Sequence, residues 1–360
     1  MRVERLALRS LRNAAESDIE FSPGVNVICG SNAAGKTNIL EAVFYFAAGK
    51  SFRNCKDREL ISFGQDKANI AIRFETGSNI KRMSATLSKG GRRAIRIGES
   101  GPLKLSEYIG VFRAVIFTPD HLSLVKGAPE NRRRFLDLAI CQSFPRYAAT
   151  LSEYNRILAQ KNALLKRGNV IDELLSVYNE RLASLAAVIT VNRRKYIAKL
   201  EEEAKKFLFD MSGGKEELCL NYQTQAGELE TQEEIKERYK ALFAEKAEQE
   251  KEKFISLYGT HKDDFSVSIN KKSAKMFGSQ GQQRSVVLAL KLAEGELSAK
   301  LTGEYPVFLL DDILSELDRD RKEYILSRIT DRQVIITGCE SESFEFGNGK
   351  RIFVENGKIK

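Results

Sequence analysis

Apolar residues recur along this chain with two periods, and the places where one gives way to the other divide it. "VERLALR" (3–9) alternates loosely, as a half-buried strand does, while "GVNVICG" (24–30) is a short apolar run rich in β-branched residues, the mark of a buried strand. "KTNILEAVFYFAAG" continues from it as a helix ending at Gly49. Strands are expected at 68–75, 80–87, 93–97 and 111–117, with Gly90-Gly91 turning the hairpin between two of them. From about 129 to 255 glycine becomes sparse and apolar positions fall at helical spacing: Leu151, Tyr154, Leu158 and Leu165, then Leu174, Tyr178, Leu182, Leu185 and Ile189. This stretch reads as a helical insertion containing a short antiparallel coiled-coil pair. Beyond 260 the mixed texture returns. A helix starts near Gln282 with Val286, Leu290, Ala293 and Leu297 on one face. After it come a strand at 306–310, a helix around 318–329, a strand at 333–337 and two short strands near 351–359. The fold class is therefore α/β. The domain reading is one lobe built from 1–128 and 256–360, with 129–255 inserted as a mostly helical second lobe.

Composition narrows the class without deciding it. The 360 residues are 42% hydrophobic and 30% charged, as in ordinary globular proteins. No run approaches the ~18–20 apolar residues that span a bilayer, and "MRVERLALRSL" does not read as a signal peptide. A cytoplasmic protein with no membrane partner is expected. The five cysteines are scattered and histidine occurs twice, so neither a disulfide framework nor a zinc site is suggested.

Charge is polarised. Residues 71–135 hold 13 Lys or Arg against 5 Asp or Glu, a net +8, whereas 201–252 hold 15 acids against 8 bases, a net −7. A polyanion partner such as DNA fits the basic stretch, and solvated surface is its plain alternative. Lys81, Arg82, Arg92, Arg93 and Arg96 flank the predicted hairpin and could track phosphates. Arg132, Arg133 and Arg134 could do the same or could pair with acids inside the fold. Few aromatics interleave with these bases, so backbone and shape are the expected targets.

The chemistry sits in three motifs. Gly30-Ser31-Asn32-Ala33-Ala34-Gly35-Lys36-Thr37 fits GxxxxGK[ST] between a buried strand and a helix, where backbone N–H groups and the helix dipole cradle phosphates. Lys36 is expected to neutralise the β- and γ-phosphates of ATP and Thr37 to take a position on Mg²⁺. "PVFLLDDILSELD" ends a buried strand with Asp311, expected to orient Mg²⁺, and Asp312, expected to accept a proton from the attacking water. The third motif is "FGSQGQQRS" (277–285), which crowds glycine, serine and glutamine at a helix N-terminus with unpaired N–H groups. Lys36 precedes Asp311 by 275 residues, but Ser279 precedes it by only 32. That order is found in ABC-type ATPases. There Ser279 and the Gly281 backbone face the γ-phosphate held by a second subunit.

"PGVNVICGSNAAGKTNILEA", "GKSFR", "RRRFLD", "HKDDF", "FGSQGQQR", "LALKLAE" and "LLDDILSELD" together resemble the RecF family of bacterial DNA replication and repair proteins, over almost the whole chain. The resemblance implies an SMC-head-like ABC ATPase with an inserted helical lobe and an ATP-dependent homodimer. It implies DNA binding at junctions of single and double strands, RecR (with RecO) as partners in loading RecA at gaps, and slow, DNA-stimulated hydrolysis. It places Walker A on Gly30 to Thr37, the signature on Ser279 to Arg284 including Gln282, Walker B on Asp311 and Asp312, and the D-loop on Ser315 to Asp318. Ala33-Ala34 replace a more usual Gly-Gln pair, "TGCE" departs from a threonine-rich run, which puts Thr337 in doubt as a γ-phosphate sensor, and no Q-loop glutamine stands near "VIFTPDHL". A transporter nucleotide-binding subunit, another SMC-like ATPase and a non-enzymatic helical scaffold are the alternatives.

Overall fold

The computed structural model describes residues 1–53, 55–91, 93–168, 171–329, 331–338 and 349–359. Arg92 and the Cys339-Glu340 end of "TGCE" lie outside the described residues. Strands β1 (Arg2–Leu11), β2 (Ala14–Glu20) and β3 (Val25–Cys29) lead into helix α1 (Lys36–Ala48). There follow β4 (Lys67–Thr76), β5 (Asn79–Ser88), β6 (Arg93–Ile97) and β7 (Ala114–Phe117). Next come α2 (Pro129–Ser143), α3 (Pro145–Leu165), α4 (Asp172–Met211), β8 (Leu218–Gln223), α5 (Gln232–Glu245) and α6 (Ala247–Lys253). The chain continues through β9 (Asp264–Ile269), β10 (Lys272–Ser273) and α7 (Gln280–Thr302). It closes with β11 (Val307–Leu310), α8 (Arg319–Ile329), β12 (Val334–Gly338), β13 (Lys350–Glu355) and β14 (Lys358–Ile359).

Two compact units result, Met1–His121 with Val287–Lys360, and Leu122–Val286. The first holds two sheets. In the five-stranded antiparallel one, ordered β2-β1-β4-β5-β6, alternation sends Leu6, Ile72, Met83 and Ile97 to one face, most of them fully buried. Strand β2 has no counterpart in the sequence reading. "AAESDIE" is an edge strand burying only Ala14, Ser17 and Ile19, too polar to show a period.

The other sheet runs β14-β13-β3-β12-β11-β7, with β13, β3, β12, β11 and β7 parallel. Its central strands are apolar on both faces, so each buried Val, Ile or Leu contributes roughly 1.5–3 kcal/mol against exposure. Helix α7 lies close against it. A Cβ at Gly295 would come within 2.4 Å of the Phe308 ring, so only glycine permits that approach.

The second unit differs from the sequence expectation in two ways. It contains a sheet, ordered β10-β9-β8, and it extends to Val286 instead of stopping at 255. The reason for both is pairing: β9 lies in register with β8 from Leu218↔Ile269 to Gln223↔Asp264, which carries residues 256–286 into this unit. Buried charges tie it further. Arg193 gives its Nε and Nη2 to the Asp137 carboxylate at 2.8 and 2.9 Å, and its Nη1 to the Thr260 carbonyl at 2.7 Å. Lys161 and Glu250, both fully buried, pair at 2.6 Å. Losing one partner of such a pair costs ~3–5 kcal/mol. One 18-residue stretch of α4 is apolar enough to cross a bilayer, contrary to the expectation that no run comes close. Half of that stretch is buried, with Leu182, Ala186 and Ile189 in the core of the unit.

Candidate functional site

Parallel register brings the carboxyl ends of β3, β12, β11 and β7 to one edge: Cys29 lies beside Gly338, and Leu310 beside both Ile336 and Phe117. Such an edge is where open α/β sheets bind ligands. Gly30, directly after Cys29, has φ +156°, and a Cβ there would meet the Val354 carbonyl oxygen at 2.3 Å. Gly35, at φ +110°, caps α1, and its missing Cβ leaves room for the Asn13 amide at 2.7 Å. Between them Ala33 adopts φ +65°, tolerated by a non-glycine residue at a cost of about 1 kcal/mol. Ala34 is buried, and its carbonyl accepts from Asn13 Nδ2 at 3.2 Å and the Gly357 N–H at 2.9 Å. Both alanines thus act through backbone. Ser31 and Asn32 are exposed at the rim.

Lys36 is buried, and its Nζ donates to the carbonyls of Gly30 at 2.8 Å and Ser31 at 3.1 Å. The ammonium therefore sits inside the curl of the loop. Thr37, one residue on, lies near enough to Asp311, directly after β11, to help hold its carboxyl down. Asp311 is buried, and burial pushes its carboxyl above the usual range; the Asp312 charge adds to this, while hydrogen bonds from Thr37 and Thr337 and the charge of Arg53 oppose it. Asp312 has φ +50°, so the chain turns sharply after β11 and leaves this second carboxylate exposed.

Several residues of the site are not picked out from the sequence, and Thr337 is set aside there. Thr337, on β12, accepts the Asp312 N–H at 2.9 Å and faces Asp311 Oδ1 at 3.1 Å. Asn13 links the loop to α1 through Asn38, whose Nδ2 donates to Asn13 Oδ1 at 2.8 Å. Arg53 in turn donates to Asn38 Oδ1 at 3.0 Å. Glu41 is buried on α1 and receives both Nε and Nη2 of Arg12, at 3.0 and 2.9 Å. Arg12-Asn13, a charged and an amide residue at a strand turn, was the available hint.

Ser279, Gly281 and Gln282 form a group of their own at the start of α7. Ser279 Oγ accepts the Gln282 N–H at 3.2 Å, and Gln282 Oε1 accepts the Ser279 N–H at 2.8 Å, a reciprocal capping box. Gln282 Nε2 also reaches Glu216 at 2.9 Å. The Gln282 side chain, expected at a nucleotide, is thus committed to the cap. Ser279 stays exposed, with its hydroxyl proton unused by the cap.

The basic residues divide. Arg132 is buried and bidentate on Asp264, both contacts at 2.7 Å, and Arg133 donates to the Asp263 carbonyl at 2.8 Å, so internal pairing is what these two do. Arg93 hydrogen-bonds the Gly49 carbonyl and pairs with Asp57. Lys81 and Arg82 are exposed and Arg96 half-buried.

The family profile described as "RecF/RecN/SMC N terminal domain" matches residues 2–359. Over 363 residues the chain is 39% identical to the DNA replication and repair protein RecF of Clostridium acetobutylicum, covering 100% of this chain and 99% of that one. The chain belongs to the RecF family. A RecF from Desulfitobacterium hafniense is 37% identical over 364 residues, covering 100% of this chain and 99% of the relative. A solved structure of the recombination mediator protein RecF with ATP, in the RecFOR pathway, matches with a TM-score of 0.94 at 32% identity, over 100% of this chain and 97% of that one. An Smc head bound to the C-winged helix domain of ScpA matches at TM-score 0.58 and 16% identity, over 100% of this chain and 96% of the other, a likeness of fold. The RecF-family chain therefore has the ABC-type, SMC-head-like ATPase fold, and the transporter-subunit alternative falls away.

Proposed function

We propose that this chain is a cytoplasmic ATP-dependent DNA-binding switch of recombinational repair, working as an ATP-induced homodimer at single-strand gaps. The observation that carries the reading is the meeting of Thr37, Asp311 and Thr337 beside the curled loop of Gly30–Lys36. The ATP-bound RecF structure similar over its full length supports it.

The residues present fit Mg²⁺ and ATP. Gly30 and Gly35 let the loop curl tightly against the Val354 carbonyl and Asn13, and Lys36 lies within that curl. Mg²⁺ is usually held by one or two carboxylates together with substrate phosphates. Thr37 and Asp311 supply that share, and among the described residues no cluster of His, Cys, Asp and Glu offers an all-protein cage. Mg·ATP, when bound, supplies the γ-phosphoryl group whose hydrolysis resets the switch. Lys36 then exchanges carbonyl partners for phosphate oxygens. The Asp311 carboxylate would hold the water shell of the metal, and the exposed Asp312 carboxylate would take the proton of the attacking water. Ser279 offers its hydroxyl, and Gly281 its backbone, to the nucleotide of a second copy. RecR with RecO are the protein partners in this reading, RecA loading is the output, and hydrolysis is slow and DNA-stimulated.

Sedimentation and gel shift on gapped duplex, each with and without ATP, test it. Mass doubling and DNA retention that both require ATP are expected. A mass and DNA affinity indifferent to ATP would overturn the reading.

A further inference from the structure

The outer face of the five-stranded sheet carries a row of like charges that the fold does not fully neutralise. Arg5 stands opposite Arg73, and Arg73 opposite Arg82, on the adjacent strands β1, β4 and β5. Like charges directly opposite one another destabilise a sheet, so folding alone gives no reason for the row. Two residues along, Ala7, Ala71 and Ser84 line up, and Ser84 faces Arg96 on β6. These small side chains floor a trough of about 370 Å³ walled by Arg5, Arg73 and Arg82, with the Asp18 carboxylate at its β2 end.

Two of the arginines are answered by acids. Arg5 Nε donates to Asp18 at 2.6 Å, and Arg73 Nε meets Glu4 at 2.7 Å. Arg82 and Arg96 have no side-chain ion pair or hydrogen bond among the described residues. Glu16, Asp18 and Glu20 gather on β2, the opposite edge of the sheet from β6. The face is thus polarised, with its unanswered positive charge over β5 and β6.

We propose that this trough and the β6 surface beside it dock the sugar-phosphate backbone of duplex DNA, with Arg82 on the trough wall and Arg96 next to it, opposite Ser84, as the principal contacts. The proposal rests on the reading of the chain as a DNA-binding protein and names the surface that reading lacks. A guanidinium presents a planar fork that matches two phosphate oxygens at once. From β1 to β5 the arginine row spans two strand spacings of ~4.8 Å, with Arg96 one strand further on the neighbouring rung, and successive phosphates of one DNA strand advance ~3.4 Å along the axis, so several fall within reach. The alanine and serine floor lets a backbone approach. No aromatic lines the trough, so unpaired bases find nothing to stack on, which favours the duplex flank of a gap over the single strand.

The test is fluorescence anisotropy of a labelled 30-base-pair duplex with Mg·ATP, across a salt series, comparing wild type with the Arg82→Glu/Arg96→Glu and Arg82→Lys/Arg96→Lys double variants. Neither side chain has a partner to lose, so melting temperature and ATP binding are expected to hold. The glutamate variant is expected to bind duplex about tenfold or more weakly, with a log–log salt slope shallower by ~1–2, and the lysine variant to recover most of the loss. Equal affinity and slope in wild type and glutamate variant, with ATP-dependent DNA binding intact, overturns the trough and leaves the functional reading standing. A wild-type protein that binds no DNA overturns both.

Discussion

Thr337 holds the two carboxylates that follow β11. Its hydroxyl oxygen accepts the Asp312 N–H at 2.9 Å and lies 3.1 Å from Asp311 Oδ1 and 3.3 Å from Asp312 Oδ1. One hydroxyl on the neighbouring strand therefore sets the turn that separates a buried carboxylate from an exposed one. Thr337→Val keeps the shape and removes the hydroxyl. It leaves the Asp312 N–H without its partner, at a cost of ~1–3 kcal/mol. ATP turnover is expected to fall more than ATP affinity, with Thr337→Ser restoring both. Steady-state turnover beside calorimetric ATP titration reads this, and a Val variant that hydrolyses normally would remove Thr337 from the site.

Lys36→Met deletes the ammonium that Gly30 and Ser31 now share. ATP binding and ATP-induced dimerisation are expected to disappear while the circular dichroism spectrum is kept, because α1 retains its buried apolar face. Calorimetry that finds the ATP affinity unchanged would contradict the role given to this lysine.

Ser279→Arg places a bulky cation at the exposed start of α7. The variant is expected to bind ATP as a monomer and to neither dimerise nor hydrolyse. Mixed with Lys36→Met protein it is expected to rebuild one composite site, detectable as regained ATP turnover. Normal dimerisation of Ser279→Arg with ATP would place the serine elsewhere.

Asp311 and Asp312 are expected to fail differently. Asp312→Asn keeps ATP binding and slows hydrolysis by ~10²-fold or more, the usual scale for a lost general base. Asp311→Asn weakens Mg·ATP binding itself. It also changes stability with a definite sign. Burial raises the folded carboxyl above its unfolded value, so the ionised form costs stability at pH above the raised value, and the cost vanishes as pH falls below the unfolded one. Without nucleotide, Asp311→Asn is expected to melt higher than wild type at pH 7, with the gap narrowing as the pH is lowered toward 4.

His261 gives the second unit an acid limit. Its Nδ1 lies 2.8 Å from the Tyr154 hydroxyl and its Nε2 3.3 Å from the Ser256 carbonyl. Burial, aided by Lys262, Lys161 and Arg133, pushes its pKa down to about 4. A depressed histidine contributes stability that is present above the unfolded value of ~6.5 and lost as pH falls toward 4, on the order of 3 kcal/mol. Denaturant melts from pH 7.5 to 4.5 are expected to lose that much more for wild type than for His261→Gln, and parallel curves would count against it.

What could be read along the chain was whatever is written contiguously. The phosphate loop needs eight neighbouring residues between a buried strand and a helix, so Gly30 to Thr37 stood out, as did Asp311 after an apolar run. Helix α1 and strands β3 to β6 carry their periods locally and were visible for the same reason. Strands β2 and β8 were not, because an edge strand buries too few side chains to show a period, and β8 exists as a strand through its pairing with β9. Thr337 and Asn13 join the site only when parallel register and a strand turn bring distant segments to one edge. The arginines divided on the same principle. Their spacing could not tell Arg132, turned onto Asp264, from Arg82, turned to solvent, since side-chain direction is decided by what each strand or helix packs against and not by charge.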